Sequence, residues 1–522
     1  MSDLYDYIIV GAGSAGCVLA GRLSADPAAR VLLIEAGPEP RNPWIRIPGA
    51  VSKVFNRGPY NWGYMSEREP ALADRPIYWP RGKGLGGSSA VNGMVYLRGH
   101  PLDFDGWRQM GNAGWGWDDV APLFRRAEAA LDVGPASEQY MFSRQFVSAA
   151  QDYGIPFNPD FNADNGDHQD NVGYLEYTIR RGRRQSSYEA FVAPIRHRRN
   201  LTILTDAPVS RILLDGRRAS GIAYKKNGQA CIAGTRRELI LAGGTVNSPQ
   251  LLMLSGIGPG AHLQEHGLEA TIDMPGVGQN LHDHSCTHLV YNVPADYSIN
   301  HRIQGPGLAL EAAKYVLTRK GVLGIGTSQA CLFARVLEGA SHPDIQIATR
   351  PFSFVFDGGK LGIAKTPTAT ASVYQLRPES RGSITLRSRD PAADPVILAN
   401  FFASPKDQET VVSGVRLAAR IMSGPQMAGF TPALPIPDRD EALIDMIRGI
   451  MGPVYHPVGT CRMGADPESV VDPRLRVRGV DGLRVADASI MPAIVSANIN
   501  AACIMIGEKA FDLIAEDARV GA

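Results

Sequence analysis

Hydrophobic positions bunch most tightly at the start of the chain. Residues 5–10 form a short β-rich run of buried-strand character, residues 15–23 read as a helix, and residues 31–35 (VLLIE) as a second strand. Strand, helix and strand in that order make a βαβ unit. Further on, residues 115–128 read as a helix with Trp117, Val120, Leu123 and Phe124 on one face. Residues 174–179, 201–204, 209–214 and 238–242 read as strands, with a turn at Asp215-Gly216, and residues 248–254 as a helix. Between about 290 and 450 the periodicity is weak and proline is frequent. Residues 308–317 and 411–422 read as helices there, and residues 383–386 and 396–398 as strands. Phe352, Phe354 and Phe356 alternate, which puts them on one face of an extended run. No internal repeat or low-complexity segment interrupts the chain. The pattern is that of a dinucleotide-type domain interrupted by insertions that form a second domain.

Bulk properties narrow the class. The chain has 522 residues, 44% apolar and 20% charged, with a net charge of +1. That balance gives no electrostatic case for nucleic acid. The basic stretches at residues 180–184 and 197–199 are expected to be solvated surface or ion-paired. Six scattered cysteines, none in a Cys-x-x-Cys pair, favour reduced thiols in a cytoplasmic protein over a disulfide framework. The N-terminal apolar run is short and flows into glycines, unlike a signal peptide. No apolar stretch approaches the roughly 20 residues needed to cross a bilayer; peripheral contact with the inner membrane stays open.

Gly11-x-Gly13-x-x-Gly16 follows the first strand and opens the first helix. The first glycine permits the turn, the second lets backbone approach a pyrophosphate, and the third lets helix and strand pack. Glu35 ends the second strand at the spacing where an acid accepts from ribose hydroxyls. A second glycine cluster, RGKGLGGSSAVNGM (residues 81–94), is too glycine-rich for an ordinary linker, and its backbone donors suit a flat polar ring system. Near the other end, YHPVGTCRMG (residues 455–464) supplies His456, and SANINAA (residues 496–502) supplies Asn498 and Asn500. Two histidines and an acid at His282, Asp283 and His284 match no specific metal-ligand template, so no metal site is expected.

These motifs, with GGTVNSPQLLMLSGIGP (residues 243–259), PGVGQNLHDH (residues 275–284) and VADASIMP (residues 485–492), resemble the glucose-methanol-choline (GMC) flavoprotein oxidoreductases across essentially the whole chain. The likeness is greatest to the bacterial choline dehydrogenase and medium-chain alcohol dehydrogenase branch. It implies a mixed α/β and α+β fold. A Rossmann-like FAD-binding domain would comprise residues 1–152, 199–288 and 452–522, and a substrate domain with an antiparallel sheet residues 153–198 and 289–451. It implies that Gly11, Gly13, Ser14, Ala15, Gly16, Glu35 and Ala36 hold the ADP half of FAD, with Val209, Ala242 and Gly243 nearby. Arg81, Gly86, Ser88, Asn92, Gly93, Met94 and Val95 would lie along the pyrophosphate and ring system. Asp487, Ala488 and Asn498 would complete the flavin site. His456 would be the catalytic base and Asn500 would orient the substrate oxygen, the alternative being that Asn498 takes that role. Val91 stands where some members carry a histidine bonded to FAD, so noncovalent FAD is expected. The implied activity is oxidation of a primary alcohol to an aldehyde, electrons passing to a quinone or other acceptor. The alternatives are an O2-using alcohol oxidase and a flavin-containing lyase. The phenylalanine face would form a sheet core or line an apolar substrate pocket, the latter with the branch resemblance suggesting a neutral aromatic or medium-chain alcohol. Oligomeric state is not legible.

Overall fold

The computed structural model describes residues 3–163, 170–357 and 360–520. Its first sheet begins with β1 (Asp3–Val10), which pairs in parallel with β2 (Val31–Ile34) and with the long strand Gln229–Leu241. Every residue of β2 is buried. A strand covered on both faces reads as an unbroken apolar run, which is why VLLI lacks alternation. Leu201–Leu204 extends the sheet on one side in parallel. On the other side Val209–Asp215, Arg218–Lys226 and Gln229–Leu241 form an antiparallel meander, and Leu483–Val485 adds to the last of these in parallel.

The helix α1 (Ser14–Leu23) crosses from β1 to β2 and meets the C-terminal helix Asn500–Val520. At Gly507 the contact is so close that a Cβ would stand 2.8 Å from the Ala15 carbonyl oxygen. Glu508 is fully buried in this seam and is held by Arg22 (2.7 Å) and Arg126 (2.7 Å). A buried carboxylate is tolerated only when so paired. The pairing locks the two ends of the chain together.

The second large sheet is antiparallel, in the order Thr431–Pro432, Ser285–Asn292, Thr368–Gln375, Ile345–Arg350, Ala330–Ala334 and Asn171–Tyr174. Gly452–Pro453 also pairs with Ser285–Asn292. Helix Pro405–Met422 covers one face through Val411, Val415, Ala418 and Ile421. The helix Met141–Asp152 and the hairpin Tyr64–Glu69/Arg75–Trp79 pack into the same core. The mixed architecture, with an antiparallel second sheet, is the one expected.

Several elements depart from the sequence reading. Residues 174–179 are two strands, Asn171–Tyr174 and Glu176–Arg180, in different sheets. The helix expected at 248–254 starts earlier, as Gly244–Leu254, despite Pro249 inside it. Proline cannot donate to the Thr245 carbonyl, but the Thr460 hydroxyl does so at 2.6 Å. Helix Pro405–Met422 likewise starts earlier than expected, capped by the Ser404 hydroxyl accepting from the Lys406 amide. All six cysteines are free. Among the described residues no helix is long and apolar enough to cross a membrane.

Candidate active site

β1 ends in the glycine turn. Gly11 has φ +105°, and a Cβ on it would lie 2.4 Å from the Ala242 carbonyl oxygen. A Cβ on Gly16 would lie 2.0 Å from the Gly11 carbonyl oxygen, so α1 packs directly on the turn. Gly13 is different: the nearest atom to its Cβ would be 3.8 Å away, and the residue lines an open cavity. The first amides of α1 have no carbonyl to bond within the helix and carry its positive end. This is the arrangement that receives a pyrophosphate.

Glu35 does more than the sequence suggested. It is buried, and its Oε2 accepts from the Ala12 amide (2.9 Å) while Oε1 accepts from the Gly37 and Gly84 amides (both 2.9 Å). Burial pushes its pKa up, and these three amides pull it back. One carboxylate thereby ties the turn after β1 and the turn after β2 to the second glycine loop. With two donors on Oε1 and one on Oε2, one acceptor position remains for a ribose hydroxyl. The second loop touches the first directly. The Gly86 amide donates to the Ala12 carbonyl at 2.8 Å, and a Cβ on Gly87 would fall 2.7 Å from Gly13 Cα.

A cavity of about 560 Å³ runs from these glycines to His456. Of the expected site residues, all except Gly16 and Gly86 line it, including Val209, Ala242, Asp487 and Ala488. Gly16 and Gly86 act one layer back, through backbone packing. Asp487 accepts from the Gly244 amide (2.8 Å), the Ser248 hydroxyl (2.6 Å) and the Ser489 amide (2.8 Å), and burial raises its pKa. Val91 also lines the cavity. The volume, the helix end, the acid at the ribose position and the bare glycine backbone fit a dinucleotide such as FAD.

At the far end, His456 follows Tyr455, which turns through a left-handed conformation (φ +67°). The His456 amide donates to Asp283 Oδ1 at 2.8 Å. Its Nε2 lies 3.1 Å from Asn498 Nδ2, and its Nδ1 lies 3.1 Å from His284 Nδ1. Asn498 Nδ2 can only donate, so Nε2 accepts and the ring proton sits on Nδ1, pointing at His284. Burial lowers the His456 pKa well below the usual value, and the neighbouring His284 and Arg81 add to this. Burial likewise takes His284 down to about 4 and Asp283 up to about 7.

Of the two asparagines, the structure sets Asn498 rather than Asn500 within hydrogen-bond distance of His456. Asn500 starts the C-terminal helix, and its Oδ1 accepts from the Ser14 hydroxyl at 2.7 Å. Both asparagines line the cavity, and two residues of chain exchange their neighbours. The phenylalanines divide between the core and pocket readings. Phe352 belongs to a separate small core, Phe354 lines the cavity, and the Phe356 side chain lies outside the described residues. From the sequence, Asp283 and His284 carry no role beyond matching no metal template, yet they contact the candidate base. Their signal was present in the HDH run, but the spacing that mattered was to residue 456, some 170 positions away.

A dinucleotide cleft closed at one end by a neutral histidine and a carboxamide defines a flavin- or nicotinamide-type oxidoreductase. Residues 5–286 and 378–507 match the two halves of a family described as GMC oxidoreductase. The chain is 40% identical over 534 aligned positions to an alcohol dehydrogenase (acceptor) of Pseudomonas putida, covering 98% of this chain and 96% of that one. It is 39% identical to an oxygen-dependent choline dehydrogenase of Sinorhizobium fredii, covering 98% and 95%. Among solved structures, pyridoxine 4-oxidase from Mesorbium loti superposes with a TM-score of 0.86 at 30% identity, covering 97% of this chain and 98% of that one. A formate oxidase superposes with a TM-score of 0.91 at 28% identity, covering 99% of both. The protein belongs to the GMC oxidoreductase family, and its cofactor is FAD.

Proposed function

We propose that this enzyme oxidises a primary alcohol to an aldehyde, with His456 as the base. The observation that carries this is His456 Nε2 and Asn498 Nδ2 standing 3.1 Å apart at the end of the cavity. An alcohol oxygen inserted between them gives its proton to Nε2 and accepts from the carboxamide. FAD held along the glycine loops would supply the hydride acceptor for the hydrogen on the carbinol carbon, so that loss of proton and hydride leaves a carbonyl. A histidine with a depressed pKa is a weak base, but it is unprotonated across the neutral range and ready to accept. His284 fixes the useful tautomer: by receiving Nδ1–H it leaves the Nε2 lone pair for substrate. Asp283 holds the backbone of residue 456 by accepting from its amide.

Val91 cannot form a bond to FAD, which supports noncovalent attachment. The Pseudomonas putida relative, named for an unspecified acceptor, favours a quinone or similar partner over O2. Free thiols suit a cytoplasmic setting. The test is anaerobic mixing of the yellow holoenzyme with a panel of primary alcohols. Bleaching of the flavin supports the reading. A flavin that stays oxidised with every alcohol refutes it and favours a lyase. Parallel assays with a redox dye and for hydrogen peroxide separate dehydrogenase from oxidase.

A further inference from the structure

The far wall of the cavity is one face of the antiparallel sheet. Cys286, His288 and Val290 alternate along one strand of it, opposite Tyr374, Ser372 and Thr370, and Arg350 stands opposite Thr370 on the next strand. Arg350 lines the cavity, and its guanidinium carbon lies 5.4 Å over the Phe354 ring. One Nη donates to Ser372 Oγ at 3.1 Å and to His288 Nδ1 at 3.2 Å. Its Nε–H is buried with no partner.

Other charged groups on the cavity wall are hydrogen-bonded within the chain. Glu35 and Asp487 each accept three hydrogen bonds from within the chain, as described above, and Asp394 is held by Arg57 at 2.6 Å. Arg81 donates to the carbonyls of Pro80 and Tyr455, both at 2.6 Å, and feels Asp283. Among the described residues, no carboxylate pairs with Arg350. His288 is neutral, since burial and then Arg350 push its pKa to about 3. With Nδ1 accepting from Arg350, its proton sits on Nε2 and makes a further donor.

We propose that Arg350 is the specificity-determining residue of the substrate chamber and that the substrate is a hydroxycarboxylate, its carboxylate held by Arg350. A guanidinium with a spare N–H recognises a carboxylate by two parallel donors. The same charge repels a quaternary ammonium and leaves a neutral alcohol's tail unmatched. A strand advances about 3.3 Å per residue, so His288 lies on the order of 13 Å along the sheet from His284, which touches the base. The carboxylate and the carbinol are therefore at opposite ends of an extended substrate, and the carboxylate is unchanged by the reaction. This inference rests on the alcohol-oxidation reading above.

The experiment uses the holoenzyme with a dye acceptor. It compares ω-hydroxybutyrate, ω-hydroxyhexanoate and ω-hydroxyoctanoate with n-alkanols of equal length and with choline. At the best length kcat/KM should favour the hydroxy acid over the alkanol by about 10–100-fold, mostly through KM, as one charge-assisted contact allows. Arg350→Met should collapse that ratio, and Arg350→Lys should restore part of it. In the parent enzyme, hexanoate should perturb the flavin absorbance at lower concentration than hexanamide. The inference is overturned if alkanols or choline match the hydroxy acids and hexanoate binds no better than hexanamide. If Arg350→Met does not fold, the parent comparisons decide alone. If no alcohol of any class reduces the flavin, the function reading fails, while the hexanoate and hexanamide titration still decides the anion site.

Discussion

Replacing Glu35 by alanine separates two roles of one carboxylate. If the acid served only the cofactor's ribose, its loss would weaken FAD binding and leave the apoprotein intact. The structure instead gives it three backbone amides, from Ala12, Gly37 and Gly84. Alanine leaves those N–H groups without an acceptor. Each unsatisfied donor costs about 1–3 kcal/mol, so the loss is about 3–9 kcal/mol, less where water enters from the cavity. Unfolding entropy of about 2.1 cal/mol/K per residue makes a 522-residue chain lose roughly 1 °C of Tm per kcal/mol. Glu35→Ala apoprotein should therefore melt about 3–9 °C below the parent. Glu35→Gln should fall between them, because its Oε1 can keep two amides while its NH2 confronts the third. The assay is scanning calorimetry of FAD-stripped protein, with FAD titration beside it. A variant apoprotein that melts within about 1 °C of the parent, while binding FAD more weakly, would refute the tying role.

His456→Ala should keep FAD yet slow anaerobic flavin reduction by about 10²–10⁴-fold in stopped flow, the usual worth of a positioned base; reduction near the parent rate would assign the base elsewhere. Because burial lowers the His456 pKa, and a base works only above its pKa, the acid limb of kcat/KM should lie below pH 6.5. Asn498→Ala should slow flavin reduction more than Asn500→Ala, whose main effect is loss of the Ser14 tie and about 1 kcal/mol of stability; the reverse order would restore Asn500 as the partner. Acid precipitation should leave the flavin in the supernatant, and yellow colour in the pellet would mean a covalent bond. Asp283 has a folded pKa raised to about 7, so between pH 4 and 7 the folded state binds the extra proton and stability falls as pH rises. Asp283→Asn keeps an acceptor for the His456 amide and removes that titration. Its Tm relative to the parent should therefore rise across this window, and a constant difference would contradict the shift.

The sequence made the cofactor half of this site legible because its signals are local. A turn, a helix start and a strand end lie within 35 residues, and the Gly11, Gly13 and Gly16 spacing is local. The wall of the substrate chamber was not legible. Thr368–Gln375 (TATASVYQ) is buried at every position, yet its composition looks like a polar loop. The hydroxyls of Thr368 and Thr370 reach other segments, as in the contact of Thr370 with Ser353 at 2.8 Å, and Ser372 receives Arg350. Such satisfaction is long-range and leaves no period in the chain. The same holds for His284 and for the exchange of Asn498 and Asn500: residue types were readable, partners were not.

The order of segments explains why the base sits where it does. Gly452–Pro453 pairs with Ser285–Cys286 in the antiparallel sheet, and Leu483–Val485 pairs with the central strand of the cofactor sheet. The chain between them must cross from one sheet to the other, and His456 lies three residues past the start of that crossing. Asp283 and His284, just before the strand Ser285–Asn292, meet it from the other side through the Asp283 carboxylate and the hydrogen bond from the Val454 amide to the His284 carbonyl (3.0 Å). Asn498 arrives from the turn that starts the C-terminal helix, which Glu508 clamps to α1. The hydrogen-bonding atoms of base and carboxamide are thus fixed by both sheets and by the seam joining the chain ends. A substitution that loosens that seam, such as Glu508→Gln, moves Asn498 and Asn500 relative to His456 and the glycine turn together. It should therefore lower FAD affinity and flavin-reduction rate in parallel, although residue 508 lies about two helical turns beyond Asn500.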